Sequence, residues 1–153
     1  MFVFSSMALN FSVDTLVDKG GVCLNFAHLM ITGALNWIVE IERFSVRLLI
    51  NVLVQLLYDG TILVLAGVTD YSGGAFYDEH RSDPDAAFAG APLDAPSILL
   101  AHQPRSAEAA AEAGFDLQLS GHTQGGQFWP WNHLVPLQHP YAAGLHRPKD
   151  LWI

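Results

Sequence analysis

The second half of the sequence predicts an α/β fold, in which two short buried strands each lead into a loop that contains a histidine. Ser97–Ala101 is a nearly continuous apolar run followed by His102, and Asp116–Leu119 is a second short run that leads to His122. The segment Ala107–Ala113 between them is rich in Ala and Glu, which favour helix. This order of elements is typical of an α/β domain. The carboxyl ends of its strands are the usual edge for a functional site.

Both ends of the predicted helix carry recognisable signals. Ser106 is suited to be its N-cap, because a serine oxygen can accept a backbone N–H of the first turn. Gly114 is suited to end the helix, because glycine adopts the left-handed conformation found at helix C-termini.

Upstream of residue 69, Asp59 and Gly60 predict a hairpin turn between the apolar runs Val52–Leu57 and Ile62–Val68. Asp-Gly supplies the positive φ angles that a two-residue turn requires. The branched residues of Ser45–Val54 predict a strand as well.

The remaining segments complete the predicted organisation. Val22–Phe26 predicts a short strand, and a helix is predicted to begin at Thr32 or Gly33. Residues 69–95 contain several Gly and Pro turn signals, and a loop of this length predicts a functional or partly ordered surface segment. We expect a poorly defined N-terminal segment, 1–20, and one domain over 21–153.

Composition and charge narrow the class of function. The chain of 153 residues is 51% hydrophobic and 14% charged, and its net charge is −8. This charge disfavours binding to nucleic acid through the phosphate backbone. Cys23 is the only cysteine, which excludes an internal disulfide and a cysteine zinc cluster. A reducing, cytoplasmic location is therefore expected.

Two histidines at adjacent strand ends can converge on one metal ion, because imidazole is a common ligand of zinc, iron and related metals. The glycines around His122 allow the backbone to approach a ligand closely. The open alternative is that His102 and His122 make ordinary polar contacts and bind no metal.

The ordered series of motifs resembles the calcineurin-like metallophosphoesterases, and within them the bacterial subgroup related to the YkuE and YaeI proteins. The motifs are His102-Gln103-Pro104, the helix that follows, and Gly121-His122-Thr123-Gln124-Gly125-Gly126-Gln127. Two further stretches, Ala66–Phe76 and Ser45–Asn51, are similar to the same subgroup.

The resemblance implies a partial metallophosphoesterase sandwich of mixed β-sheets flanked by helices, with the N-terminal half of the family's fold missing. It also implies hydrolysis of phosphomonoesters or phosphodiesters with divalent Mn, Fe or Zn. His102 and His122 match ligands of the second metal. Gln124 stands where the family has a histidine ligand of the first metal. His28 matches the histidine that stabilises the transition state or protonates the leaving group.

The departures from the family pattern predict that activity is impaired or lost. Ala27 replaces an asparagine ligand, Gln124 is a weaker donor than imidazole, and the Gly-Asp motif that supplies the bridging aspartate is absent. We therefore expect at most one bound ion. If the chain is active, its partner is expected to be a small phosphate ester or a lipid head group.

Two alternatives remain open on the sequence. The first is a non-catalytic, truncated homologue with a binding or structural role, for example as a homo-oligomer whose interface covers an exposed sheet edge. The second is a small membrane-associated protein. The second alternative rests on residues 21–39, since no charged residue occurs in the 20 positions between Lys19 and Glu40. Such an interval is long enough to span a bilayer, so peripheral membrane contact is also left open.

Overall fold

The computed structural model describes residues 22–24, 46–75, 78–121 and 141–153. Within them, six strands and two α-helices are connected by short 3-10 turns. The strands are β1 (Val22–Leu24), β2 (Val46–Leu48), β3 (Val52–Tyr58), β4 (Thr61–Gly67), β5 (Ser97–Leu100) and β6 (Leu117–Leu119). The helices are α1 (Pro84–Phe88) and α2 (Ala107–Ala113), and the 3-10 turns are Gly73–Ala75, Asp78–His80 and Pro104–Ser106.

The described strands form two sheets. β1 and β2 pair in parallel, and β3 to β6 form a four-stranded sheet in that order. β3 is antiparallel to β4, whereas β4, β5 and β6 run parallel to one another. Their carboxyl ends therefore meet at one edge, called here the carboxyl edge (residues 68–72, 101–105 and 120–121). The mixed sheet with few helices confirms the predicted α/β class of a partial metallophosphoesterase-like sandwich.

The hairpin predicted at Asp59 and Gly60 is confirmed. Tyr58 pairs with Thr61 across the turn, and the φ angles of Asp59 and Gly60 are 48° and 77°. Two consecutive positive φ angles are what a type I′ turn requires, and its twist matches that of the flanking strands.

The prediction of a single strand over Ser45–Val54 is wrong. β2 ends at Leu48 and β3 begins at Val52, because Asn51 has a φ of 52°. This left-handed conformation interrupts an extended backbone, and asparagine is one of the few residues that adopt it at modest cost. The branched residues correctly indicated strand, but they could not locate the break.

Residues 69–95 are also more ordered than a continuous loop. Asp83 accepts a hydrogen bond of 2.9 Å from the backbone N–H of Ala86 and caps α1, whose first residue is Pro84. Asp followed by Pro is compatible with a turn and equally with the start of a helix.

The second helix has the predicted bounds, but it begins in a different way. Gly114 has a φ of 100° and ends α2, as expected. Ser106 occupies the N-cap position as predicted, but its backbone already has helical angles and its side chain makes no capping hydrogen bond. The reason is the 3-10 turn from Pro104, which starts the helical path three residues before the first residue of α2.

The hydrophobic core lies between the two helices, α1 and α2, and the four-stranded sheet. Ala107 and Ala110 are buried on one face of α2, and their small side chains let the helix lie close to the strands. Phe88 and Phe115 meet edge to face with ring centroids 4.8 Å apart. The buried cluster comprises Ala66, Val68, Ala87, Leu99, Ala101, Ala107, Ala110, Phe115 and Leu151.

The last residues of the chain extend the sheet beyond β6. The backbone N–H of Gln118 donates to the carbonyl of Trp152 at 2.7 Å, and the N–H of Trp152 donates to the carbonyl of Asp116 at 2.9 Å. Leu151 is fully buried in the core. Tertiary pairing therefore ties the C-terminal segment to the α/β core.

Three predictions fall largely on residues that the structure does not describe. They are the helix that begins at Thr32 or Gly33, the division at residues 20 and 21, and most of the uncharged interval 21–39. Among the described residues, no helix has the length and apolar character needed to cross a bilayer.

Candidate functional site

The candidate site lies at the carboxyl edge, where the loops after β4, β5 and β6 come together. His102 is half-buried and follows β5 after one intervening residue, as the sequence predicted. The residues that position it come from all three parallel strands.

Backbone hydrogen bonds join the loops that carry the two predicted metal ligands. Beyond the paired residues of β5 and β6, the N–H of Ala101 donates to the carbonyl of Leu119 at 3.2 Å. The N–H of Gly121 then donates to the carbonyl of His102 at 3.1 Å. Gly121 directly precedes His122 in the sequence. His102 and the residue before His122 are therefore neighbours at the carboxyl edge.

The other predicted site residues, His28, His122 and Gln124, lie outside the described residues. The convergence of the His102 and His122 rings stays a prediction, and so do the roles of His28 and Gln124.

A buried polar network lies immediately beside His102. The side-chain amide of Gln103 donates to the two carboxylate oxygens of Asp70 at 3.0 and 3.2 Å and to the hydroxyl of Ser72 at 3.0 Å. Asp70 also accepts the backbone N–H of Ser72 at 2.8 Å. Asp70 and Gln103 are each 6% exposed. The negative charge of this carboxylate is thus met by hydrogen-bond donors, as a buried charge requires.

A second amide approaches Gln103 from the β6 side. The side-chain nitrogen of Gln118 donates to the carbonyl of Gln103 at 3.4 Å and to the hydroxyl of Ser120 at 2.8 Å. Ser120 in turn donates to the carbonyl of Ala101 at 2.8 Å. Gln118 is only 1% exposed. These buried hydrogen bonds therefore link the β6 side to the backbone on either side of His102.

One cation stands at the rim of the carboxyl edge. Arg105 is exposed three positions after His102, and its guanidinium carbon lies 5.6 Å from the centre of the Tyr71 ring. A guanidinium over an aromatic ring is electrostatically favourable. The planar fork of arginine is also well suited to bind a phosphate group.

Asn51 anchors the loop that carries Asp70. Its side-chain oxygen accepts the N–H groups of Thr69 at 3.3 Å and Asp83 at 3.1 Å. Its side-chain nitrogen donates to the carbonyl of Arg81 at 2.8 Å. One side chain thus ties both ends of the 69–83 segment to the turn between β2 and β3.

Of the predicted metal ligands, His102 lies within the described residues. No group of three or more His, Cys, Asp or Glu residues within the described ranges is arranged to hold a metal ion. Asp70, the buried acid closest in the network, is already engaged by Gln103 and Ser72. His102 supplies an imidazole, a ligand suited to a transition metal, and the other predicted ligands, His122 and Gln124, lie outside the described residues.

Sequence reasoning missed the residues that surround His102. No signal in the sequence assigned a role to Asp70, Gln103 or Gln118. The one available clue is that Gln118 interrupts the apolar run of its strand, and a polar residue in a buried strand requires a partner. The identity of that partner depends on the tertiary arrangement.

Curated relatives carry one family name. Over 124 residues the chain is 36% identical to a Bos taurus protein named "Transmembrane protein with metallophosphoesterase domain", which covers 75% of this chain and 28% of the relative. A Danio rerio protein of the same name is 39% identical over 91 residues, or 58% of this chain and 21% of the relative. An uncharacterized metallophosphoesterase of Campylobacter jejuni is 39% identical over 98 residues, or 63% and 25% of the two chains.

The chain therefore spans about a quarter of the length of these relatives. No protein-family model matches the chain, and no solved structure matches it. The family name implies the use of metal by these relatives, without naming the ion. The sequence that these relatives share with the chain shows that its aligned part, up to 75% of the chain, belongs to the metallophosphoesterase family.

Proposed function

We propose that this chain is an impaired metal-dependent phosphoesterase, in which His102 and His122 hold a single divalent ion. The observation that supports this most directly is the 3.1 Å hydrogen bond from the N–H of Gly121 to the carbonyl of His102. It brings the two histidine-bearing loops together at the edge where α/β sheets present their sites.

The donor set favours Mn, Fe or Zn, all of which accept imidazole nitrogen. A bound divalent ion of this kind polarises a phosphoryl oxygen and stabilises developing negative charge. His102 is held at the end of β5 with its loop bonded to the β6 side. His122 is proposed as its partner ligand, and Gln124 as a weak third donor.

The proposed substrate is a phosphomonoester or phosphodiester, either a free small molecule or a lipid head group. Arg105 supports an anionic substrate, because its exposed guanidinium stands three positions beyond His102 and is steadied by Tyr71. His28 is proposed to donate a proton to the leaving group, the role of the matching histidine in the family.

Impairment is proposed because two positions lack the donor atoms of the family pattern. Ala27 has no side-chain donor, and Gln124 offers an amide in place of imidazole. With at most one ion, the attacking and leaving oxygens cannot both be stabilised as they are in a two-metal site. A cytoplasmic location is proposed, with peripheral membrane contact if the substrate is a lipid head group.

The test is metal content and turnover of the full chain. The protein is purified with added manganese or zinc, its metal is measured by mass spectrometry, and hydrolysis of a generic aryl phosphodiester is followed. We expect one ion per chain and slow turnover, and loss of both in His122→Ala. His146→Ala is the matched control, because His146 hydrogen-bonds the carbonyl of Ala143 at 2.8 Å on the C-terminal segment.

Gln124→His extends this test to the impaired position. If the loop keeps the family geometry, an added imidazole should raise metal affinity by about tenfold or more, since imidazole outranks an amide oxygen for these ions. No metal and no turnover in the original chain would reject the enzyme and favour the non-catalytic homologue.

A further inference from the structure

Gln103 occupies an unusual position, directly between the predicted ligand His102 and Pro104. It is 6% exposed although its side chain is polar. Its amide nitrogen has three acceptors within 3.2 Å, namely both oxygens of Asp70 and the hydroxyl of Ser72. These acceptors belong to the segment after β4, so the side chain joins the β5 loop to the neighbouring strand.

The backbone carbonyl of Gln103 accepts two further hydrogen bonds. It accepts the side-chain N–H of Gln118 at 3.4 Å, from β6, and the backbone N–H of Ser106 at 3.2 Å. Gln103, the residue after His102, is therefore hydrogen-bonded to the segment after β4 on one side and to β6 on the other. The carbonyl of His102 itself accepts the N–H of Gly121. Little backbone freedom remains for the segment that carries the imidazole.

The charge of Asp70 explains why the connecting residue has to be a donor. A carboxylate that is 6% exposed needs hydrogen bonds to offset the loss of water. In addition to the N–H of Ser72, the amide of Gln103 supplies them. An isosteric acid at position 103 would put two carboxylates within hydrogen-bond distance, where they repel each other.

We propose that Gln103 is a positioning residue, which uses the buried carboxylate of Asp70 as its anchor to hold the His102 loop in a metal-binding arrangement. This proposal rests on the proposed function for the identity of His102 as a ligand. Partners that orient metal ligands typically change metal affinity by about 10- to 100-fold when they are removed.

The test exchanges the hydrogen-bond donor at position 103 with the acceptor at position 70. Gln103→Glu should weaken manganese binding by about 10- to 100-fold, because it removes the donor and sets two negative charges against each other. Adding Asp70→Asn restores a donor–acceptor pair of the same side-chain lengths with the polarity reversed. The double variant should recover affinity to within about threefold of the original, an effect that double-mutant comparison isolates.

Gln55→Glu is the matched control. Gln55 is an exposed residue of β3, and its side chain reaches the carbonyl of Gly90 at 3.5 Å, away from the carboxyl edge. The same change of charge there should leave manganese affinity unaltered. Manganese binding is measured by calorimetry, and thermal unfolding by circular dichroism shows whether each variant is folded.

Hydrogen exchange at Gly121 gives a readout that needs no metal. Its N–H is bonded to the carbonyl of His102, so it should lose protection in Gln103→Glu and regain it in the double variant. This pattern without metal binding in the original chain would reject the proposed function and retain the positioning role. Unchanged protection and affinity in Gln103→Glu, or no recovery in a folded double variant, would overturn the positioning role.

Discussion

Asn51 combines a strained backbone with three hydrogen bonds from one side chain. Its φ of 52° is unfavourable for most residues. The side chain offsets this by binding the backbone of Thr69, Arg81 and Asp83. Because Thr69 immediately precedes Asp70, the conformation of Asn51 is linked to the network that holds the His102 loop.

Two substitutions at Asn51 separate these contributions. Asn51→Gly keeps the positive φ and removes the side-chain bonds, so we expect a loss of about 1–3 kcal/mol in the free energy of unfolding. Asn51→Ala should cost about 1–2 kcal/mol more, because a Cβ without polar atoms disfavours the left-handed conformation. Urea unfolding measures both. Equal stability of the two variants would show that the backbone angle carries no cost.

At the scale of elements, β4 is central to the fold because it joins the hairpin to the parallel part of the sheet. Its last residue, Gly67, is buried and pairs with Val52. A Cβ built on Gly67 would lie 2.5 Å from the Cβ of Leu49 and 2.9 Å from its carbonyl oxygen. Glycine at this position thus allows the residue after β2 to pack closely on β4.

Gly67→Ala should therefore overpack this contact and lower the free energy of unfolding by about 1–3 kcal/mol. The comparison is Gly60→Asn in the hairpin turn, where nothing lies within 4 Å of an added Cβ. A side chain at this positive φ is strained, but asparagine adopts the left-handed conformation more readily than most residues, so this variant should lose less, about 0.5–1 kcal/mol. Both are measured by urea unfolding, and equal losses would contradict the close contact between Gly67 and Leu49.

At the scale of the whole molecule, the core is completed by a residue near the end of the chain. Leu151 is fully buried with α2 and β5 residues, whereas Leu145 is 70% exposed. The hydrogen bonds of Trp152 to Asp116 and Gln118 fix Leu151 against β6. The stability of the α/β core thus depends on Leu151 and Trp152, which are not part of the candidate site.

Leu151→Ala should destabilise the protein by about 2–5 kcal/mol through lost burial and a residual cavity. Leu145→Ala removes the same atoms from an exposed position and should shift stability by about 0.5 kcal/mol or less. Thermal unfolding of the two variants is the measurement. A small effect of Leu151→Ala would show that the C-terminal segment is not part of the cooperative core.

Local signals determined several features of this protein from the sequence alone. The Asp59-Gly60 turn, the bounds of α2 and the position of His102 after a buried strand depend on neighbouring residues, and the structure confirms each of them. The motif around His102 also indicated the metallophosphoesterase family, as the relatives show. By contrast, local signals placed Ser106 at the N-cap but could not show that the preceding 3-10 turn leaves its side chain without a capping hydrogen bond.

Only the tertiary structure decided which residues support the site. Gln103 and Asp70 are 33 positions apart, and Asn51 is 32 positions from Asp83. Gln103 and Asp70 meet because the parallel strands β4 and β5 end at one edge, and Asn51 lies at that edge because the antiparallel strand β3 begins beside the end of β4. Both arrangements depend on the packing of the whole sheet. Composition and periodicity describe the near neighbours of a residue, so they could place His102 on a loop but could not identify the buried carboxylate that anchors the residue beside it.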